Sequence, residues 1–528
     1  LRDLGKEVEA EVYLNAMDQS LMGENVFCES LAGEEIGRMK SWGTHPLSKA
    51  EHLLSSPSFM NDLPQTYMEP ILFKTACKRG TRARMSTEYI NHVQDKDGVT
   101  TTCKDRMTGQ ELTIRSKYLI GADGGNSLVA ENENLPMEGK MGVGGSMNIY
   151  FRADLSKYVQ HRPSVLYWVM QPGANVGGIG MGLVRCIRPW NEWLIVWGYD
   201  INEPAPVVDE AMATDVARQL VGDPELEIEL INANTWTVND SYATQMSKDR
   251  VFIMGDAAHR HPPSNGLGSN TSIQDAFNLS WKMAAVVKGE AGEALLDSYS
   301  VERAPIAKQI VTRANQSISE FGPIFEALGM TGGTDIEQIK ANMDARCDTT
   351  AEAEAQRAAL NAAIAFKKYE FDAHGVEMNQ RYSSDATVTD GQIEPDFALD
   401  SDLHYQPTTW PGARIPHVWL FDAAGDKHST LDLAGRGGFT LFTALGGNAW
   451  ADAAAQVAKD LGITLNAHVI GPRQDFVDHT GDWARAREFG DSGCIITRPD
   501  QHVCWRNDSL VDDPVAELTR VMTSILAR

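Results

Sequence analysis

The sequence predicts a multidomain protein of mixed α/β and α+β class, and three observations carry this prediction. The chain has 528 residues, which is too long for a single hydrophobic core. A β-rich stretch at residues 140–240 separates two regions in which short strands alternate with helices. Behind a Pro-rich segment, the last stretch of chain alternates strand and helix once more.

Residues 1–135 are predicted to mix helices and strands. LRDLGKEVEAEVY, at the start of the chain, has the pattern of the middle of an amphipathic helix. PQTYMEPILFKTACKR (64–79) has helical spacing, and SKYLIG (116–121) predicts a short buried strand that ends in a Gly turn. Because the sequence begins with Leu1 inside such a helix and no signal peptide precedes it, we expect the natural protein to extend further upstream.

Residues 136–245 have a different character and predict an antiparallel sheet. Their segments alternate in polarity and are separated by turn residues; they are SMNIYFRADL, SVLYWVMQPG, GGIGMGLVRC and EWLIVWGYDI. The large aromatic residues Tyr167, Trp168, Trp193 and Trp197 are either an apolar lid over a site or ordinary sheet core.

Residues 246–400 begin with a strand and continue mostly as helices. RVFIMGDAAH is a strand that enters a loop, and a long helix follows from about Thr271. On that helix Ile273, Phe277, Trp281 and Ala284 recur at the spacing of an inner face. Within the helical stretch at 290–395, AEAEAQRAALNAAIAFKKY is the clearest helix. HYQPTTWPGARIPHVWL then marks a boundary, and 405–528 is predicted as a small α/β domain.

Composition excludes several classes of partner. The net charge of −25 argues against nucleic acid and anionic membranes. The seven Cys are scattered without a C-x-x-C pair, which indicates reduced thiols in the cytoplasm rather than a disulfide framework or a zinc site. No stretch approaches about 20 consecutive apolar residues, so no membrane span is predicted.

The stretch GDAAHRHPPSNGLGSN (255–270) combines Asp, His, Pro and Gly in sixteen positions and has three interpretations. A metal site would use Asp256, His259 and His261, but a Pro pair follows at once and no other cluster has ligand spacing, so we predict no metal. A phosphate loop would need G-x-x-x-x-G-K-[ST], and this stretch has neither that spacing nor a Lys.

The third interpretation is a loop that lies against a flavin ring. Reduced flavin carries a diffuse negative charge that the amides at a helix start stabilise. Gly266 and Gly268 lack Cβ and permit close approach, and Pro262 and Pro263 stiffen the turn. Asp256 could accept a hydrogen bond from a ribityl hydroxyl. His259 is interpreted as a packed core residue, and the same interpretation is open for His261, although His261 could also contact substrate or flavin.

A second motif has the same order of a strand, an Asp- and Gly-containing turn and a helix. GADGGNSLVAE (121–131) ends a strand with Asp and Gly before a helix; alone it could be a plain Asx turn with a helix cap. Paired with the first stretch, it is typical of the other half of a dinucleotide site. A third element, LPQ (63–65), is weak in isolation.

Together these motifs resemble the internal fingerprints of the FAD-dependent aromatic hydroxylases, the para-hydroxybenzoate hydroxylase superfamily. The resemblance runs through nearly the whole chain and is strongest to the phenol hydroxylase branch. The segments that carry this second resemblance are LMGENVFCESLAGEE, MGVGGSMNIYF, RPSVLYWVMQPG, MGLVRCIRPWNEW and GLGSNTSIQDAFNLSWK.

The resemblance implies a fold and a division into domains. It implies a Rossmann-like FAD-binding domain with an inserted antiparallel β-sheet substrate domain and a C-terminal thioredoxin-like domain. The corresponding boundaries are 1–135 and 246–400 for the FAD-binding domain, 136–245 for the substrate domain and 405–528 for the C-terminal domain. Since the last domain lacks a redox Cys pair, we expect it to pack and to form a homodimer or homotetramer.

The resemblance also implies cofactor-binding residues. Gly255 and Asp256 should hold the ribityl chain, Asp123 and Gly124 should lie near the pyrophosphate and the path of the nicotinamide, and Gln65 should be a further FAD contact. The residues implied to line the flavin ring are Pro262, Gly266, Leu267, Gly268, Ser269 and Asn270.

The implied reaction is ortho-hydroxylation of a small phenol or chlorophenol to a catechol. In the family, NADPH or NADH reduces FAD, O2 adds to give a C4a-hydroperoxide, and one oxygen passes to the ring. Attack is faster on a phenolate, so a base is needed; His261, beside Pro262, is the candidate in this chain. The alternatives are hydroxylation of a larger aromatic, such as a hydroxyphenylpropionate or a polyketide, a nucleotide-dependent oxidoreductase without oxygen transfer, and a non-catalytic protein of the same fold.

One family motif is absent. G-x-G-x-x-G after a first strand does not occur, since neither GVGGSM (142–147) nor GGIGMG (177–182) has the spacing or the strand–helix context. We therefore expect that this motif, and with it a possible substrate base, precedes Leu1 in the natural protein.

Overall fold

The computed structural model describes residues 1–172, 181–331 and 335–528. The first stretch of chain holds α1 (Lys6–Asn15), β1 (Glu24–Cys28), β2 (Glu35–Lys40), α2 (Lys49–Ser55), α3 (Gln65–Lys78), β3 (Thr87–Asp95), β4 (Gly98–Asp105), β5 (Glu111–Ser116), β6 (Leu119–Gly121) and α4 (Leu128–Asn132). The second holds β7 (Met137–Arg152), α5 (Ser156–Val159), β8 (Leu166–Val169), β9 (Gly182–Arg188), β10 (Glu192–Tyr199), α6 (Glu210–Val221) and β11 (Glu229–Ala243).

The third stretch is mostly helical and holds β12 (Ser247–Lys248), β13 (Val251–Ile253), β14 (His259–Arg260), α7 (Gly268–Lys288), α8 (Asp297–Ser319), α9 (Gly322–Ala327), α10 (Ile336–Asp344), α11 (Ala351–Phe366), α12 (Lys368–Phe371) and α13 (His374–Met378). The last holds β15 (Trp419–Phe421), β16 (Lys427–Ser429), α14 (Thr430–Leu433), β17 (Phe439–Ala444), α15 (Asn448–Leu461), β18 (Leu465–Ile470), α16 (Asp482–Ala486), β19 (Cys494–Thr497), β20 (Val503–Asn507) and α17 (Pro514–Ile525). The predicted helical stretch thus ends at α13, and residues 379–395 form turns and loops.

The first residues form less helix than their pattern predicts. Arg2–Leu4 make a single 3-10 turn, and α1 begins only at Lys6. Between them Gly5 has φ 114°, a conformation open to glycine but not to a helix. The prediction of one continuous amphipathic helix from Leu1 is therefore wrong.

A small three-stranded sheet places the two loops that matter for function. β6 and β13 pair in parallel, with Gly121 opposite Ile253, and β12 completes the edge. Phe252 and Tyr299 pack beneath the sheet, and the Tyr299 hydroxyl donates to the Ile253 carbonyl at 2.8 Å. Both parallel strands end at the same edge of the sheet, and a loop follows each strand there. The helix predicted at 64–79 is confirmed as α3, and a strand is present in 116–121 as β6. The expectation that this strand is buried is wrong, because Ile120 at its centre is 42% exposed.

The predicted antiparallel sheet forms the largest sheet of the chain. Its eight strands run in the order β14-β11-β7-β10-β9-β8-β1-β2. The outer strands β1 and β2 come from residues 24–40, and β1 pairs in parallel with β8, a long-range contact that no local pattern reveals. Of the predicted segment GGIGMGLVRC, residues 177–180 lie outside the described residues.

One face of this sheet is buried in a hydrophobic core. Tyr167, Trp193 and Trp197 pack there with Leu220 and its neighbours on α6. The interpretation of these three aromatics as sheet core is therefore correct, and they form no lid over a site.

The opposite face, called the inner face below, carries alternate residues of the same strands. Trp168 lies on it, and its ring centroid is 4.8 Å from Phe321 and 5.7 Å from Phe371. This face therefore meets the helical region, with Trp168 at the contact.

The buried side of α7 differs from the predicted one. Trp281 is buried, but Ile273 is 37% exposed and Ala284 is exposed. The buried side instead includes the polar residues Thr271, Asp275, Asn278 and Lys282. The predicted face is wrong because these polar groups have buried partners on other elements, which helical periodicity cannot show.

The C-terminal part has the predicted mixture of strands and helices. Its four-stranded sheet has the order β18-β17-β19-β20; β17 and β18 are parallel and the other pairs antiparallel. Helices α15 and α17 pack on it, and Trp281 of α7 joins their core beside Phe439. The C-terminal part therefore packs directly on the helix that follows the 255–267 loop.

The cysteines are free, and those of the C-terminal sheet are buried. Burial raises the pKa of the Cys494 and Cys504 thiols, which keeps both protonated. Each helix within the described ranges falls short of the length or apolar character needed to cross a bilayer.

Candidate cofactor and active site

The structure brings the two predicted glycine-containing loops together. They leave the carboxyl ends of the neighbouring parallel strands β6 and β13, and the Met254 amide donates to the Gly121 carbonyl at 3.0 Å. In a parallel sheet this end is where ligands bind. Asp123, Gly124, Gly255 and Asp256 therefore share one edge of the molecule.

The first loop is shaped by Asp123. Its carboxylate accepts from the Ser127 hydroxyl at 2.6 Å and from the Val129 amide at 3.2 Å, and thereby starts α4. These bonds reach four and six residues along the chain, so they do not form the Asx turn that the sequence left open, which would bond the amide two residues on. The helix cap is present, because the Ser127 hydroxyl accepts from the Ala130 amide at 3.0 Å. Beside Gly124 there is space, since a Cβ built there would meet no atom within 4 Å. The loop thus offers a backbone that a ligand can approach.

The second loop turns sharply at Gly255. Its φ is +61°, and a Cβ there would lie 3.0 Å from the Ser272 hydroxyl oxygen, so the position requires glycine. Asp256 follows with an exposed side chain. Its carboxylate is therefore available to a hydroxyl-bearing ligand at the edge of the sheet.

Arg260 lies between the two loops. Its Nε donates to the Asp256 carbonyl at 3.0 Å, and its Cδ is 3.9 Å from the Cβ position of Gly125. Burial lowers the pKa of Arg260, while the charges of Asp123 and Asp256 oppose that effect. The guanidinium therefore places one positive charge at the edge shared by the loops, where a pyrophosphate could bind.

A buried carboxylate fixes the shape of the second loop. Asp275 of α7 accepts from the Gly255 amide at 3.0 Å, from His259 Nε2 at 2.8 Å and from Arg303 Nε at 2.7 Å. Burial alone would raise the pKa of Asp275, but the Arg303 charge and the His259 hydrogen bond lower it. His259 is thus the packed, hydrogen-bonded residue that the sequence predicts.

His261 has a defined tautomer. Its Nδ1 lies 2.7 Å from the Pro262 carbonyl oxygen, which can only accept, so Nδ1 carries the proton and Nε2 keeps its lone pair. Burial lowers the pKa of His261 below the ordinary value of 6.5. The ring lies against Gly268, whose Cβ position is 3.6 Å from Nε2. His261 is therefore a neutral base beside the start of α7.

The start of α7 offers free backbone amides. Leu267 occupies the N-cap, where an apolar side chain cannot accept a hydrogen bond, and α7 continues for 21 residues. Ser269 and Asn270 are exposed, and Gly266 (φ +64°) has open space where a Cβ would stand. Pro262, by contrast, is buried. This helix start can therefore stabilise a negative group that approaches along the loop.

Gln65 is placed differently from the other predicted cofactor contacts. It begins α3, its side chain is exposed, and its amide donates to Glu69 of the same helix at 2.7 Å. No contact within the described residues joins it to either loop, so its role as an FAD contact stays a prediction.

These features fit FAD. The acidic Asp256 suits a sugar-like hydroxyl chain, Arg260 suits phosphates, and the uncapped start of α7 suits the anionic edge of a reduced flavin ring. The space beside Gly124 and Gly266 lets a planar group approach the backbone. No group of three His, Cys, Asp or Glu side chains suited to a metal ion occurs within the parts of the chain that the structure describes.

Sequence reasoning missed Arg260, Asp275 and Arg303. Arg260 had a signal, since it is the one cation in the sixteen-residue stretch 255–270. Asp275 and Arg303 had no such signal in the sequence, because their partners lie on other secondary-structure elements. A polar residue inside a helical pattern also usually indicates a face exposed to solvent.

Comparison with known protein families gives two matches that together span most of the chain. Residues 1–314 match the FAD binding domain, and residues 408–528 match the C-terminal domain of aromatic-ring hydroxylases.

Individual relatives agree with these matches. The chain is 52% identical over 530 residues to 2,4-dichlorophenol 6-monooxygenase of Cupriavidus pinatubonensis, which covers 100% of this chain and 88% of that protein. It is 50% identical over 525 residues to phenol 2-monooxygenase of a Pseudomonas species, covering 99% and 84%. Among solved structures, the flavin-dependent monooxygenase PieE in complex with FAD and substrate is 38% identical with a TM-score of 0.94, covering 100% of this chain and 90% of that one.

Proposed function

Because this chain belongs to the family of FAD-dependent aromatic-ring hydroxylases, we propose that it hydroxylates a small phenol or chlorophenol ortho to the hydroxyl group and releases a catechol. FAD, when bound, accepts electrons from NADPH or NADH and activates O2 for transfer to the ring. The protein's own residues bind, orient and shield the reactants. The single observation that carries the substrate class is the 50–52% identity to proteins named for phenol and 2,4-dichlorophenol over nearly the whole chain.

The residues that hold the cofactor in this proposal are those of the two loops. Asp256 binds the ribityl hydroxyls, Asp123 and Gly124 lie along the pyrophosphate, and the backbone from Pro262 to Asn270 lies along the ring. Arg260 neutralises phosphate charge. What supports these assignments is the shared sheet edge, the exposed Asp256 carboxylate and the uncapped start of α7.

In this proposal the phenol ring binds against the inner face of the eight-stranded sheet. Leu183, Val196 and Trp168 lie on this face, and the 261–267 loop continues directly from β14 at the edge of the same sheet. At its far end Asn265 donates to the Tyr369 carbonyl at 2.8 Å, which ties the loop to α12. Apolar side chains on this face would exclude water from the reacting atoms.

The assay that tests the function uses purified holoprotein and a panel of phenols. We expect phenol and chlorophenols to increase NADPH or NADH oxidation at least about tenfold over the rate without substrate, with one catechol formed per reductant. Oxygen consumption and product mass are measured together. Stimulation by a hydroxyphenylpropionate or polyketide alone would favour the larger-substrate alternative, and reductant oxidation without any hydroxylated product would contradict hydroxylation.

His261 is the proposed base, and Nε2 is the atom that takes the phenolic proton. Since only neutral His261 accepts a proton, kcat should fall as the pH drops through its lowered pKa, below 6.5. His261→Gln should lower kcat about 100-fold and remove this acid limb while FAD stays bound. The exposed His479→Gln variant is the matched control and should keep the limb. An unchanged pH profile in His261→Gln would assign the base elsewhere.

For the assembly and the compartment we propose a homodimer or homotetramer that works in the cytoplasm. The free cysteines and acidic net charge support the compartment. Light scattering after gel filtration measures the assembly, and a monomer at micromolar concentration would contradict it.

A further inference from the structure

A buried ionic cluster joins the flavin-side helices to the C-terminal part of the chain. Six charged side chains in it are at most 1% exposed: Asp275, Lys282, Glu302, Arg303, Arg498 and Asp500. Three are acidic and three are basic, so the cluster is electrically balanced. Asp275 and Lys282 belong to α7, Glu302 and Arg303 to α8, and Arg498 and Asp500 to the turn between β19 and β20.

Glu302 is the centre of one half of the cluster. It accepts from Lys282 Nζ at 2.7 Å, from Arg498 Nη1 at 2.5 Å and from the Ser384 hydroxyl at 2.6 Å. Arg498 also binds Asp500, with Nη2 2.6 Å from Oδ2. The C-terminal part thus supplies one cation and one anion to a site that is closed to water.

Asp500 reaches α7 directly as well. Its Oδ2 accepts from Trp281 Nε1 at 3.1 Å, and Trp281 is the large buried residue of that helix. Together with the Lys282 contact to Glu302, this bond defines how α7 is rotated about its axis.

The other half of the cluster leads to the flavin loop. Arg303, next to Glu302 in α8, binds Asp275, which in turn holds the Gly255 amide and His259. Tyr382 links the two halves: its hydroxyl accepts from Arg303 Nη1 at 3.0 Å, and the Arg498 guanidinium carbon lies 5.2 Å from the centroid of its ring.

The chemistry of a buried ionic cluster indicates whether it contributes stability or a fixed position. Well-packed apolar residues stabilise a core as well as buried ion pairs do, so a balanced cluster of six charges is not needed for stability alone. Charged hydrogen bonds have strict geometry, however, and they fix position and register. Here they fix the helix whose start and whose Asp275 shape the candidate flavin site.

We propose that Arg498 and Asp500 are positioning residues of the flavin site, acting through Glu302, Lys282 and Trp281 on α7 and from there on the Gly255–His261 loop. The C-terminal domain is then part of the cofactor site although it lies outside the FAD-binding match. This inference rests on the proposed function only in taking FAD as the cofactor, and it requires no particular phenol.

The test variant keeps the charge balanced so that no buried charge loses its partner. In Arg498→Met/Asp500→Asn the Lys282–Glu302 pair remains intact. We expect the Kd for FAD to rise at least tenfold, which corresponds to about 1.4 kcal/mol. The Kd is measured from the flavin fluorescence as the holoprotein is diluted. The visible flavin spectrum should shift, and more of the reductant should yield H2O2 instead of product. Arg498→Lys, which keeps the charge but not the fork geometry, should lie between the two proteins.

The matched control removes another Arg–Glu pair of the same domain. Arg506 Nη1 binds Glu488 at 2.9 Å, away from α7 and α8. In Arg506→Met/Glu488→Gln the Kd for FAD should stay within twofold of the wild-type value. The flavin spectrum of this variant should superimpose on that of the wild type. Unchanged FAD affinity and spectrum in the first double variant would overturn the proposal, as would an equal loss of FAD in the control. If the first double variant does not fold, the FAD affinity of Arg498→Lys decides alone. Failure to hydroxylate any phenol would contradict the proposed function and leave these flavin measurements unaffected.

Discussion

Asp256→Ala should weaken the binding of FAD. The Asp256 carboxylate is exposed at the edge where both loops meet, directly after Gly255, whose backbone is fixed by Asp275. A hydrogen bond to a charged group contributes about 1.5–3 kcal/mol, so its loss should raise the Kd for FAD about 10- to 100-fold. Flavin content after gel filtration and fluorescence titration with FAD measure the effect.

Two further variants separate charge from local folding. Asp256→Asn keeps an acceptor oxygen without the charge and should raise the Kd for FAD less than Asp256→Ala does. Asp297→Ala removes an exposed acid at the start of α8 and should leave flavin content unchanged. A Kd for FAD in Asp256→Ala within twofold of the wild-type value would contradict the assignment of Asp256 to the cofactor.

Both loops could be predicted from sequence because their signals are local. Each places Asp and Gly at the end of a short strand, a pattern contained within a few residues. The convergence of GADGGNS with GDAAHRH needs one further step, the parallel pairing of β6 with β13. That pairing follows from the resemblance to a known family and not from the pattern of either strand.

Helix α7 shows what periodicity cannot predict. The apolar spacing placed Ile273 and Ala284 inward, yet they are exposed, and the buried side carries Asp275 and Lys282. A buried charge is stable only with a partner, and the partners lie elsewhere in the chain; Arg498 binds Glu302 across 196 positions. The pattern of hydrophobic residues around either position does not predict such a contact.

The aromatic residues of the large sheet show a related limit. Alternation correctly predicted that these strands have two faces, but it could not tell which face meets α6 and which meets the helical region. Trp168 and Tyr167 are neighbours in sequence and lie on opposite faces, and only the packing of distant helices distinguishes them.

Asp275→Ala should destabilise the fold by about 3–5 kcal/mol. The Asp275 side chain is 1% exposed, and its removal leaves the Arg303 guanidinium buried without its anion. The Gly255 amide and His259 Nε2 lose their acceptor in the same change. Urea unfolding followed by far-UV circular dichroism measures the loss as a lower midpoint at an unchanged slope.

Asp275→Asn tests whether charge or shape dominates. The amide oxygen can still accept from Arg303, but the amide nitrogen then faces the Gly255 N–H, and two donors cannot bond to each other. His259 can change tautomer and accept from this nitrogen, whereas the Gly255 amide has no such freedom. We therefore expect a loss smaller than that of Asp275→Ala, combined with weaker FAD binding because the bend at Gly255 is no longer held.

The comparison with an exposed acid decides the interpretation of both variants. Asp452 is exposed on α15, and Asp452→Ala should change stability by no more than about 0.5 kcal/mol. If Asp275→Ala matched that small change, the Arg303 guanidinium would have to reach water or another anion, and the buried cluster would be no constraint on the loop. A large loss in Asp275→Ala, with a smaller one and weakened FAD binding in Asp275→Asn, is the pattern that only a carboxylate joining loop and helix produces.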